Sequence, residues 1–130
     1  MRSFPFVEPR QAVALLRIAV SLFMMAHGLT RLYLGTVGGF GIFLNSKGFV
    51  IGGVLAWTIT IFEIAGGAAM GFGFFVKWTA AVFILELITG IFLVHLPYGW
   101  FVVGATQGGM EYSALLIISL IVIAANHSGK

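Results

Sequence analysis

His27, Arg31, Glu63, Glu86, His95, Glu111 and Tyr112 are the side chains in this sequence best suited to moving protons or holding a charged or carbonyl-bearing ligand, and they lie within or beside long apolar runs. Histidine changes charge near neutral pH and carboxylates accept protons, so the combination suits proton handling or a ligand role. A charge near the centre of a bilayer costs about 2.5–3.5 kcal/mol on insertion scales, and such residues therefore turn toward a bundle interior, a partner or a cavity. The chain has no cysteine. Thiolate nucleophiles, disulfide exchange and iron–sulfur ligation by this chain are thereby excluded. No metal site is read from the remaining residues. His27 and His95 as axial haem ligands are disfavoured, because histidines on separate apolar helices are more often hydrogen-bonded core residues.

The elements that must position these groups are membrane helices. Of 130 residues 60% are hydrophobic and 8% charged, with a mean hydropathy of +1.09, well beyond a soluble domain. Runs of about 20 apolar residues cross a core of about 30 Å as helices, and four are marked off at about 12–32, 50–73, 78–96 and 111–125. Continuous stretches such as "LLIISLIVIAA" lack the period-two alternation of a barrel strand. The fold class is thus all-α, an integral membrane four-helix bundle forming a single domain over 1–130. Basic residues precede the first span as in a signal peptide, but the run is long and no small-residue cleavage site follows, so the span is read as retained.

Residues 33–49 combine glycines, an apolar patch and the stop signal "NSKG", which predicts a short interfacial helix between the first two spans. The link "FFVKW" predicts an antiparallel hairpin between the second and third. Arg2, Arg10, Lys77 and Lys130 fall on one side of this topology and Arg31 and Lys47 on the other. The positive-inside rule then places both termini in the cytoplasm. The pI near 9.7 reflects these helix-end anchors, and nothing indicates a nucleic-acid surface.

Depth, counted at about 1.5 Å per residue, predicts two polar layers. His27, His95 and Glu111 fall in the outer third, while Arg17, Glu63 and Glu86 lie deeper. Glu63 shares a helical face with Thr60, Gly66, Gly67, Met70 and Gly71, and the Gly67–Gly71 pair permits close helix approach. Its carboxylate is expected to face inward, either paired with Arg17 or handling a proton or ligand. Glu86 and His95 are nine residues apart and half a turn out of phase on an ideal helix. Glu86 is therefore expected to face sideways, toward Arg17 or another chain, unless the helix distorts. Glu111 opens the fourth helix, where the dipole favours its charge and where it can face a histidine or Arg31. Tyr98, Trp100 and Phe101 follow helix-breaking Pro97 and read either as an interfacial belt or as a lid over a ligand.

The segments "HGLTR", "EIAGGAAMGFG", "HLPYGWF" and "GGMEYSALL", in this order and at these spacings, resemble the DoxX family of small four-helix bacterial membrane proteins, over about residues 13–125. Arg31 stands where lysine is frequent and Ser113 where proline is common. The resemblance implies a multi-pass protein of the bacterial inner membrane, and a membrane subunit associated with a quinone-linked redox complex, as in a thiosulfate:quinone oxidoreductase. Under that reading His27, His95 and Glu111 are the candidate catalytic groups, with Arg31, Tyr112, Trp100 and Gln107 as ligand-binding residues. Quinone is the implied cofactor, and the lipid bilayer, a larger complex or further copies of the chain are the implied partners. An accessory subunit that docks on and stabilises a larger membrane complex is the alternative from another class. Proton or small-solute transport draws on the same carboxylates, but four short helices without an obvious repeat suit alternating access poorly.

Overall fold

The computed structural model describes residues 3–127, all helical apart from turns and loops, with no strand among them. Arg2 and Lys130, which entered the charge comparison, lie outside the described residues. Helix α1 (Pro9–Leu34) starts at a proline that needs no hydrogen-bond partner, with the Glu8 N–H donating to Gln11 Oε1 at 2.9 Å. Gly35, at φ 68°, ends it in the left-handed region that glycine tolerates best. Helix α2 (Val37–Ser46) is the short helix expected between the first two spans. Helix α3 (Gly52–Gly71) and helix α4 (Val76–Gly90) form the expected hairpin. The path of α4 continues through a wide turn, Ile91–His95, and a tight one, Leu96–Tyr98. Helix α5 (Glu111–Ala125) follows.

Around the bundle α1 neighbours α3, α3 neighbours α4, α4 neighbours α5, and α5 closes back on α1. The tightest seam is α1–α3 and the sparsest is α3–α4. Val20 and Met24 of α1, Met70 of α3, Ala80 and Phe83 of α4 and Leu116, Leu120 and Ile123 of α5 fill the centre. Phe62 meets Phe83 edge to face at 5.4 Å between ring centroids, a favoured aromatic geometry. Helix α2 lies across the start of α3, where Val37 and Leu44 pack on Ala56. The Asn45 side chain accepts the Gly52 N–H at 2.8 Å, satisfying an otherwise free donor of α3.

Three helical segments, Pro9–Leu34, Gly52–Gly71 and Val76–Tyr98, are long and apolar enough to cross a membrane. The fourth run forms a helix within its expected bounds, but α5 has 15 residues, which rise only about 22 Å. The protein is a multi-pass membrane protein with lipid-facing helices, and α5 is its short member.

The α1–α3 seam is close because α3 is small where α1 crosses it. A methyl added at Gly67 would stand 2.6 Å from Met25 Cγ and 3.1 Å from the Ser21 carbonyl oxygen. The inward face assigned to Thr60, Glu63, Gly67 and Met70 is the buried face of α3. Gly67→Ala is expected to lower stability by about 1–3 kcal/mol through overpacking. Gly53→Ala, whose added methyl meets nothing, is the matched control, and unfolding in mixed detergent micelles compares the two.

Candidate functional site

The site begins with a second close approach along the same seam. A methyl on Gly28 would lie 2.8 Å from the Thr60 carbonyl oxygen and 3.3 Å from Glu63 Cβ. Only a residue without a side chain lets α1 come this near. One turn later Arg31 reaches across, its Nη1 donating to Thr60 Oγ1 at 2.8 Å and its Nη2 pairing with Glu63 Oε1 at 2.6 Å. The Glu63 side chain is 5% exposed and that of Arg31 20%. Phe40 of α2 covers the guanidinium, with its ring centroid 4.7 Å from Arg31 Cζ, within cation–π range.

A cavity of about 710 Å³ opens beside this pair, bordered by α3 and α4 along their sparse seam and by α2. Phe43, Phe49, Leu55, Ile59, Phe62, Leu85 and Leu93 give it apolar walls. Arg31, Glu63, Glu86, His27, His95 and Tyr112 are the ionisable groups that line it. Glu86, from α4, lines the same cavity as Glu63 and Arg31.

Glu86 thus faces the cavity and not sideways, and it shares that cavity with Glu63 and Arg31, not Arg17. The phase conflict with His95 is resolved by the wide turn at Ile91–His95, whose end is marked by the Leu96 N–H donating to the Ile91 carbonyl. This five-residue step retards the helical rotation and brings His95 round to the cavity. Pro97 accounts for it, because its ring crowds the carbonyl four residues back and it offers no N–H. That proline was the sequence signal for the distortion.

His95 Nδ1 lies 2.8 Å from the Gly108 carbonyl oxygen. A carbonyl only accepts, so Nδ1 carries the hydrogen, and in the neutral ring Nε2 keeps a lone pair for a ligand hydroxyl. Tyr112 stands between Phe23 and His27, at 6.4 and 6.5 Å between ring centroids.

The loop of residues 99–110 is tied to itself rather than open over the cavity. Gly108 and Gly109 donate to the carbonyls of Val102 and Phe101, and Met110 and Glu111 to those of Gly99 and Trp100. Glu111 Oε1 accepts the Val102 N–H at 2.9 Å. Gly109 presses on the Trp100 backbone, where a methyl would come within 2.5 Å of the carbonyl carbon. Glu111 therefore pins the loop, and Glu111, Trp100 and Gln107 do not line the cavity.

Two polar layers do not form. Gly28 stands opposite Thr60 and Glu63, while Ser21 and Met25 stand opposite Gly67. This register makes His27, Glu63 and Glu86 neighbours of one cavity. The expected pairing of Arg17 with Glu63 is likewise absent, since Arg17 Nη2 reaches the Gly71 carbonyl oxygen at 3.4 Å, farther down α3. The depth count had aligned helix ends in one plane, whereas the first turns of α3 project past α1 to carry α2. Sequence reasoning missed the roles of Thr60 as a partner of Arg31, of Gly28 and of Phe40. Thr60 and Gly28 were visible through their helical spacing from Glu63 and Arg31. Phe40 carried no signal, because only the fold of α2 brings it over the ion pair. Among the described residues no three His, Asp or Glu side chains gather as a metal-ligand group.

Arg31→Gln and Glu63→Gln are each expected to destabilise the protein by on the order of 3 kcal/mol, and the double change by less than their sum. Arg17→Gln with Glu63→Gln should be additive, and a double-mutant cycle by detergent unfolding reads both. Glu111→Gln should speed hydrogen exchange at the Val102 amide while leaving the helices protected.

No curated protein and no solved structure matches the chain. The profile of the DoxX family matches residues 12–96, which takes in α1 to the end of the wide turn and the whole of the Arg31–Glu63–Glu86 cluster. The segment "GGMEY" lies past that match. With well over half of its length matched, this chain belongs to the DoxX family.

Proposed function

We propose that the protein is a membrane subunit that binds a quinone or quinol in the α2–α3–α4 cavity and works with a redox partner. The observation that carries this reading is the cavity itself, apolar along its walls and entered by a few convergent ionisable groups. Its volume of about 710 Å³ suits a ring and the first part of an isoprenoid tail. When bound, a quinone supplies two-electron chemistry coupled to two protons. The chain's own residues hold the ligand and handle protons. The lone pair on His95 Nε2 can accept from a quinol hydroxyl and the Tyr112 hydroxyl can donate to a ring oxygen, while Glu86 is a carboxyl beside Arg31 and Glu63 able to exchange a proton with the ligand. With no cysteine in the chain, the reading assigns electron carriage to a partner bearing flavin, haem or an iron–sulfur centre.

Glu111 is assigned to loop closure in this reading, and catalysis of proton transfer to Glu86 and His95, with His27 in support. The excess of basic residues at the end holding Arg10 and Lys77 supports a cytoplasmic location for that end in a bacterial inner membrane. The cavity then lies toward the outer leaflet.

Purified protein in lipid nanodiscs, titrated with the quinol forms of a short-chain benzoquinone and naphthoquinone, is expected to show saturable binding as a rise in thermal stability. Glu86→Gln and His95→Ala should each weaken it about tenfold or more, the scale of a lost hydrogen bond to a charged or buried group. Gly53→Ala should leave it unchanged. If neither quinol binds the wild type, yet a membrane enzyme co-purifies with it, the accessory reading takes over.

A further inference from the structure

At the opposite end of the bundle, α1 and α5 enclose a second recess of about 400 Å³ that the quinone reading does not use. Its polar lining is Arg10, Arg17, Asn126 and His127, and among the described residues no carboxylate lines it. Arg17 is the unusual member. Its Nε is buried without a hydrogen-bond partner, and its Nη2 makes one long contact, 3.4 Å, with the Gly71 carbonyl oxygen. A guanidinium has five donors, and a buried donor left unpaired is costly. The Asn126 amide is already engaged, donating to the Val122 carbonyl at 2.8 Å. The recess thus offers two permanent positive charges, one under-satisfied, and a titratable imidazole, near the amino-terminal end of α1 whose dipole favours an anion.

We propose that this recess binds the phosphate of an anionic phospholipid. Guanidinium groups match phosphate oxygens in geometry and charge, so the shared chemistry is a phosphate anion. The remaining lining favours a lipid as its source. Val13, Ala14 and Ile123 continue the recess along the lipid-facing bundle, where they suit the first methylenes of an acyl chain. Lys77 stands at the start of α4, at the same end of the molecule but outside the recess. The site pins the junction of α1 and α5, the two helices whose other ends flank the quinone cavity through His27 and Tyr112.

The test uses full-length, delipidated protein and measures bound mass and thermal stability with phosphatidylglycerol, phosphatidylcholine or inorganic phosphate. Phosphatidylglycerol is expected to bind at least tenfold more tightly than phosphatidylcholine and to raise the unfolding temperature. Arg17→Gln and Arg10→Gln should each weaken it about tenfold, with Lys77→Gln unchanged. Arg10 is exposed on the first turn of α1, so its variant reports on the site even where Arg17→Gln fails to fold. Stabilisation by inorganic phosphate equal to that by the lipid would assign the recess to a soluble anion and overturn the lipid assignment. Equal binding of both lipids, or equal losses for Lys77→Gln and Arg10→Gln, would overturn the site altogether.

Discussion

An arginine and a glutamate placed inside an apolar bundle must find each other, because neither charge is tolerated there alone, and the Arg31–Glu63 contact at 2.6 Å is where this chain meets that demand. Its geometry depends on α1 lying almost against the backbone of α3 at Gly28. With the helices held that close, the side chain of Arg31 reaches back to Thr60 and Glu63. Phe40 then covers the guanidinium from α2, which the packing of Val37 and Leu44 on Ala56 holds over α3. The cavity is what remains on the far side of the pair, where α3 and α4 separate and Glu86 and Glu63 both line the gap.

How much of this was legible from the sequence depended on whether a feature was local or required register between helices. Apolar length located the helices to within a few residues at either end. The face of α3 carrying Glu63 followed from three-and-four spacing, and the glycines on it pointed to a tight seam. Register between helices has no such local signature. The pairing of Arg31 with Glu63, where Arg17 was expected, turns on how far α3 projects past α1, which is set by α2 packing on its first turn. The inward aim of both Glu86 and His95 needed the wide turn before Pro97, a distortion that an ideal-helix count omits.

The glutamate of "GGMEY" illustrates a different limit. Its type and place at a helix start suited both catalysis and structure, and the family profile ends before it. Its acceptor role toward Val102, together with the contact of Gly109 with Trp100, makes the segment a clasp for the preceding loop. The two histidines differ similarly. His95 is fixed by the Gly108 carbonyl of that loop, while His27 stands beside the Tyr112 ring at 6.5 Å between centroids. The loop therefore reaches the cavity indirectly, by orienting one imidazole.

The brevity of α5 bears on the bilayer around it. Fifteen residues fall roughly 8 Å short of a hydrocarbon layer of about 30 Å. On that flank acyl chains therefore meet the non-helical segment of residues 99–110, and irregular backbone survives at such depth only when its polar groups are matched within the protein. The Glu111 carboxylate, standing in for a missing carbonyl at Val102, contributes to that matching. Lipids beside α5 must thin locally or be replaced by another protein surface, so hydrophobic mismatch makes this flank, and not the long faces of α1 and of α4 with its continuation to Tyr98, the side from which membrane thickness acts on the protein.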